Sequence, residues 1–197
     1  MIAVWIGVGV LVALVSYVIV AYNRFVAQRQ LITDSWRDID VELQRRHDLI
    51  PNLVSTVKGY AAHEQAVFEA VAAARTQAIQ AAGASPSDRE PAETEVTQRL
   101  GRLFAVAEAY PDLKASANFQ QLQHELNDTE DRLAAARRFY NGNVRDYNTR
   151  VQSFPPNLIA SAAHFETQAF FEMDGLQGRS PGDQLNKPPD VGLDVPS

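Results

Sequence analysis

The sequence predicts an all-α protein: an N-terminal transmembrane helix followed by an antiparallel three- to four-helix bundle with long helices. Three observations carry that expectation. An uncharged apolar run fills residues 2–22, apolar residues then recur at spacings of three and four, and no stretch of the body alternates with period two long enough for a sheet. Amphipathic helices joined by short turns pack most economically as an antiparallel bundle. The expected division is a transmembrane anchor over residues 1–22, a helical bundle over 23–172 and a flexible tail over 173–197.

The anchor segment, "IAVWIGVGVLVALVSYVIVAY", has no ionisable side chain except tyrosine. Twenty-one residues at about 1.5 Å each span roughly 31 Å, the thickness of a bilayer core. Trp5, Tyr17 and Tyr22 sit toward its ends, where amphipathic rings prefer the interface. A cleaved signal peptide is the competing reading, with Ile19-Val20-Ala21 as its cleavage site. That reading wants a basic start and a shorter apolar core, and no Lys or Arg precedes this run. Arg24, Arg29, Arg37, Arg45 and Arg46 all follow the span. The positive-inside bias therefore puts the body in the cytoplasm with the N-terminus outside, as a single-pass membrane protein. Asp34, Asp38 and Asp40 share the stretch but count for little in that rule.

The first body helix is read from Ile32, Trp36, Ile39, Leu43, Ile50, Leu53, Val57, Tyr60, Val67 and Val71, spaced largely by threes, fours and sevens. Pro51 interrupts the run, removes a backbone donor and disfavours helix at Ile50. The stripe resumes without a loop-like stretch, so one kinked element over about 23–80 is expected rather than two helices meeting at Pro51. "AAGASPSDREPAE", residues 81–93, reads as a loop. A second helix carries Val96, Leu100, Leu103, Phe104 and Ala107 and stops at Tyr110-Pro111-Asp112. The third shows a heptad-like seam from Phe119 through Leu122, Leu126, Thr129, Leu133, Ala136, Tyr140, Val144, Tyr147 and Val151 to Phe154. Phe154-Pro155-Pro156 ends it, and residues 157–165 form a short further helix. From Asp174 onward, Pro, Gly and Asp dominate and large apolar residues are few, the composition of a flexible tail.

Composition removes several function classes. The absence of cysteine excludes disulfides, thiol nucleophiles and Cys-based zinc sites. A net charge of -6 argues against a general nucleic-acid binder. None of the four histidines follows a Glu by three residues, as a di-iron bundle would need. His63-Glu64 and His124-Glu125 open like a zincin motif, but Val67 and Asp128 occupy the second histidine's place. His47 and His63, 16 residues apart, lie about 160° apart around a straight helix, at about 100° per residue. No Gly-x-Ser-x-Gly and no phosphate loop occurs. No catalytic residue, cofactor or metal is expected. Arg45-Arg46-His47-Asp48 and Glu130-Asp131-Arg132 read as surface charges in helix-spaced pairs, and Phe139, Tyr140, Tyr147 and Phe154 read as core.

Several long collinear blocks resemble the bacterial LemA family: "YNRFV", "SWRDIDVELQRRHDLIPNLVSTVKGYAAHE", "LFAVAEAYPDLKASANFQQLQHELNDTEDRLAAARRFYN", "VRDYNTRVQSFPPNLIA" and "FFE". The resemblance covers roughly residues 20 to 172 and implies a single membrane anchor followed by a helical bundle. It brings no catalytic residue or cofactor with it. Residues 81–93 and those after Asp174 fall outside the matching pattern.

The leading expectation is a non-enzymatic, membrane-anchored scaffold or adaptor of the cell envelope. It would contact the bilayer through residues 2–22 and other membrane proteins through the polar segment at Arg46, His47, Asp48, Asn52, Lys58, His63 and Glu64. One alternative is a hydrolase or metal enzyme using His47, Asp48, His63 and Glu64. Another is a self-assembling membrane-organising protein, a homo-oligomer in which the 119–154 seam pairs between chains, helped by the small-xxx-small spacing of Ala3 and Gly7.

Overall fold

A computed structural model describes residues 1–173. Six helices, α1 (Ile2–Lys58), α2 (Gln65–Gln80), α3 (Pro86–Glu108), α4 (Pro111–Lys114), α5 (Ala117–Gln152) and α6 (Pro156–Ala162), precede a non-helical strap over residues 165–173, and no strand occurs among the described residues. The expected all-α bundle is what the chain forms. The tail expected from Asp174 onward lies outside the described residues, but Met173, assigned to it by sequence, is buried in the core.

The apolar span and the first bundle helix are one uninterrupted helix of 57 residues. Residues 1–20 are exposed along their whole length, and the segment is long and apolar enough to cross a membrane. Beyond it α1 pairs antiparallel with α5. Phe25 meets Tyr147, Trp36 meets Tyr140, Asn143 donates to Ser35, and Arg46 bonds Glu130. Further along, Asn118 donates to Thr56. Contacts of Asp40 with Arg89 and of Arg46 with Thr97 run in the same sense along both chains, so α3 lies parallel to α1. α2 packs between them as the intervening antiparallel element. The distal half is thus a four-helix, up-down-up-down arrangement of α1, α2, α3 and α5.

The element expected over 23–80 breaks at residues 59–64, eight residues past Pro51, and Pro51 lies inside α1. A helix tolerates an internal proline only if the carbonyl four residues earlier finds another donor. That carbonyl belongs to His47, and Arg75 of α2 donates to it through Nε at 2.7 Å. The missing proline N–H is thereby replaced by a side chain of the neighbouring helix. Residues 81–93 are likewise not all loop. α3 begins at Pro86, with Ser85 as N-cap accepting from the Asp88 N–H at 3.3 Å.

The apolar residues form two cores. The distal one includes Ile50, Leu53, Val57, Phe68, Val71, Leu100, Leu103 and Leu126. The one next to the apolar span includes Phe25, Ile39, Leu43, Leu133, Tyr140, Val144, Tyr147, Phe165 and Phe171. The seam of α5 packs inside the chain, against α1. Phe139 and Phe154, expected in the core, are exposed, as is Tyr60. Phe139 directly precedes the buried Tyr140 and so falls on the outer face, while Phe154 lies past the end of α5.

Asn141 and Asn148, one heptad apart on α5, hold the strap by its backbone. Asn148 donates to the Gln168 carbonyl at 2.9 Å and accepts from the Gln168 N–H at 2.8 Å. Asn141 does the same with Phe171, both at 3.0 Å. Tyr140 adds a hydroxyl bond to the Ala169 carbonyl, and Arg137 donates to the Met173 carbonyl. Phe165 and Phe171 then fill the proximal core, stacked on Phe25 and edge-on to Trp36. Replacing Asn141 by Ala removes both partners of Phe171 and should cost about 1–3 kcal/mol in chemical denaturation. It should also hasten proteolysis within residues 165–173, and unchanged protection there would show that side-chain packing alone holds the strap.

Candidate functional site

Between the two cores lies a layer of charge. Arg46 and Glu93 are both 0 % exposed and His47 is 1 % exposed. Arg46 reaches into the bundle from α1. Its Nη1 donates to Thr97 Oγ1 and Glu130 Oε1, both at 3.2 Å, and its Nη2 donates to Glu93 Oε2 and to the Glu93 carbonyl, the latter at 3.4 Å. One guanidinium therefore joins α1, α3 and α5. His47 Nε2 lies 3.1 Å from Glu93 Oε2. The other Glu93 oxygen accepts from Arg89 Nε at 3.3 Å, and Arg89 also pairs with Asp40 on α1.

Burial alone pushes the Glu93 carboxyl upward. The hydrogen bond from His47, the Arg46 charge and the Arg46 hydrogen bond outweigh that and hold it at about 2, well below its ordinary 4.5. Around it, two guanidiniums (Arg46, Arg89) face three carboxylates (Glu93, Glu130, Asp40). The layer is nearly neutral and densely bonded, as buried charge must be. Both Glu93 oxygens are engaged by neighbouring side chains, and the bonds around them join α1, α3 and α5.

The seven residues expected to meet a partner separate into two groups. Arg46 and His47 are interior, which corrects their reading as surface charges. The apolar stripe of Leu43, Ile50 and Leu53 turns the same face of α1 inward at residues 46 and 47. Asp48, Asn52, Lys58 and His63 are exposed, and Glu64, at the start of α2, is half-buried. Asp48 accepts from Gln44 Nε2 at 2.8 Å, on the outside of the helix. His47 and Asp48 thus point to different environments, while His63 lies in the turn after α1. The four residues required by the enzyme reading are not brought to one place. Among the described residues, no group of three or more His, Asp or Glu is placed to hold a metal ion. A shallow cavity of about 310 Å³, lined by Arg45, Leu49, Glu125, Asp128, Thr129 and Arg132, opens beside this segment.

Thr97 lies in the second helix next to Val96 with nothing local to single it out, while Arg89 and Glu93 fall within residues 81–93, which read as loop. The signal was present in Ser85-Pro86-Ser87-Asp88, an N-cap, a proline at the first helical position and an acid at the third. Starting the helix there puts Arg89, Glu93, Val96, Thr97 and Leu100 on one face.

The fold and this layer define a class: an antiparallel helical bundle, pinned by buried charge, carrying a membrane-competent helix at its N-terminus. The sequence pattern of the LemA family matches residues 35–182, and the chain belongs to that family. It is 27 % identical to magnetosome protein MamQ 2 of Paramagnetospirillum magneticum (strain ATCC 700264 / AMB-1) over 185 residues, covering 82 % of this chain and 68 % of the relative. Magnetosome protein MamQ of Magnetospirillum gryphiswaldense is 25 % identical over the same shares. Protein LemA of Metamycoplasma hominis is 23 % identical over 157 residues, covering 79 % of this chain and 70 % of the relative.

A carboxyl held at about 2 in the folded chain, against 4.5 ordinarily, stabilises the fold most fully above pH 4.5. That stability is lost as pH falls from there through about 2. The difference is worth about 3 kcal/mol, at 1.36 kcal/mol per pH unit. Glu93→Gln keeps the shape and removes the charge. It should lower stability at neutral pH by about this amount and flatten the stability profile between pH 5 and pH 2, measured by denaturant unfolding at each pH. A profile as steep as that of the parent chain would assign the acid sensitivity to other carboxylates.

Proposed function

We propose that this protein is a non-enzymatic, membrane-anchored scaffold or adaptor of the bacterial cell envelope. The observation that carries the proposal is the continuity of α1. An exposed apolar span passes without a break into the helix that organises both cores, so the bundle is mechanically fixed to the segment that would enter the bilayer. Kinship with proteins of magnetosomes supports work at a cellular structure rather than on a free substrate. In this reading the span crosses the inner membrane once, with the bundle in the cytoplasm, because the cations near the span follow it.

The surface offered to a partner is the outer face formed by Asp48, Asn52, Lys58 and His63, with Glu64 at its edge. Acid, amide, cation and imidazole there are exposed. A membrane protein with a soluble domain is the occupant proposed for that face. Self-association through the span, where Ala3 and Gly7 leave room for close approach, is the second reading; apart from its own turn of helix, nothing among the described residues lies within 4 Å of where a Gly7 Cβ would be.

Deleting residues 1–19 retains Ala21 and Tyr22, which pack on the bundle, and should move the protein from the membrane to the soluble fraction with its helical content and melting temperature little changed. Retention on the membrane after alkaline or high-salt washing would sink the proposed anchor. Photo-crosslinkers placed in living cells at positions 48, 52, 58 and 63 should each capture one recurrent membrane protein, identified by mass spectrometry. Crosslinks to copies of this chain alone would replace the adaptor reading with self-assembly.

A further inference from the structure

Three apolar residues at one corner of the bundle are left in water by the fold. Phe154 is 78 % exposed and Leu158 62 % exposed, with exposed Pro155 between them. Phe154 and Pro155 lie in the turn from α5 into α6 and Leu158 in the first turn of α6, and the phenyl ring of Phe154 finds little cover among the described residues. Bundle corners are usually closed with polar turn residues, so an apolar one marks a surface that meets something apolar.

The position of the corner along α1 identifies what it meets. Phe25 packs against Tyr147. α5 continues five residues past Tyr147 to Gln152, about 7.5 Å at 1.5 Å per residue, and Phe154 follows in the turn beyond that end. That brings the end of α5 level with about Val20. Independent contacts agree with this height. Arg150 lies within electrostatic reach of Tyr17 and Arg24, Tyr22 packs on Phe165 with ring centroids 5.5 Å apart, and Ala21 is the first residue of α1 to be buried. The corner therefore stands beside the last turn of the apolar span.

We propose that the α5–α6 corner is a second membrane contact, a wedge in which Phe154, Pro155 and Leu158 enter the interfacial layer of the same bilayer that holds α1. The inference rests on the anchored reading above and adds to it a second point of attachment. Charge fits this placement. Arg24, Arg29 and Arg150 lie just on the bundle side of the corner, at headgroup height, with Asp146 and Glu166 among them. Guanidiniums there meet lipid phosphates while the aromatic and leucine side chains reach the acyl boundary. Arg29 already holds its guanidinium 5.6 Å over the Phe165 ring, so a cation stands directly on the apolar surface next to the corner. A single crossing helix leaves a bundle free to swing about it; a wedge on the far side of α5 fixes its tilt.

The chain contains no cysteine, so single-cysteine labelling reads each position alone. The full-length protein would carry an environment-sensitive fluorophore at Phe154→Cys, Leu158→Cys, Val12→Cys or Gln123→Cys. Each variant would be reconstituted into vesicles of phosphatidylcholine and phosphatidylglycerol with quenchers at shallow or deep acyl positions. The expected result is blue-shifted emission at positions 154 and 158, quenched most by the shallow label. Position 12 should be quenched most by the deep label, and position 123 by neither. Water-like emission at 154 and 158 with position 12 still quenched would overturn the wedge and leave the anchor standing. Loss of quenching at position 12 as well would remove the anchored reading and the wedge together. Blue-shifted emission at 154 and 158 that no lipid-borne quencher reaches would mean that a second protein surface covers the corner, and that would overturn lipid as its occupant.

Discussion

The rest of the structure depends on the guanidinium of Arg46, which has no exposure to water and takes its bonds from Glu93, Thr97 and Glu130. Removing such a group from solvent costs several kcal/mol before any bond is made, and pairing commonly does no more than offset that cost. Its structural consequence is geometric. α1 and α5 meet along a seam of apolar residues at heptad-like spacing, and a seam of that kind tolerates displacement by one repeat at modest loss. Arg46 does not tolerate it. Its acceptors sit on two other helices, and sliding either by a turn would leave a charge in the core without a partner. The charged layer thus fixes the register in which the two apolar cores are built.

Pro51 extends the same constraint to α2. By removing one amide hydrogen it frees the carbonyl of His47, and only the Arg75 side chain, brought in by α2, supplies a donor. His47 consequently binds neighbours with both its parts: the ring engages Glu93 of α3, the carbonyl engages Arg75 of α2. A residue that looked like a catalytic base in the sequence is a junction between three helices. The imidazole and carboxylate that suggested chemistry are separated by the helix itself, since His47 faces inward and Asp48 outward.

How much of this was legible in the sequence follows from the range of the interactions. The span, the α5 seam and the stop at Pro155-Pro156 are local patterns with periods of a few residues, and all were read. Ser85-Pro86 with Asp88 is local too, and the start of α3 was readable from it, yet the density of Pro, Gly and Ser around it favoured loop. The ionic layer is different. Arg46 bonds residues 47 and 84 positions away, and its residue type is the same as that of the exposed Arg45 beside it. Its place on the apolar stripe, three residues after Leu43 and four before Ile50, was the one available sign that it faces inward. Phe139 and Phe154 show the converse limit. Hydrophobicity alone put them in the core, although Phe139 is off the stripe and Phe154 lies past the end of its helix. For Phe154 the relevant apolar phase is one the protein alone does not contain.

The continuity of α1 also restricts what kind of partner the outer face of residues 48–63 suits. Asp48 lies 26 positions beyond Tyr22 and Lys58 lies 36 beyond it. At about 1.5 Å per residue an upright helix presents that face about 40–55 Å from the end of the span. A protein that barely emerges from the bilayer cannot reach it. The complementary surface has to stand on a domain of comparable height, or on a soluble protein recruited to the membrane. The corner at Phe154 acts at the opposite end of α5, and each degree of tilt it prevents at the bilayer is multiplied along the length of α1. Height at one end and attachment at the other are therefore a single design constraint, imposed by a helix that does not break at the membrane surface.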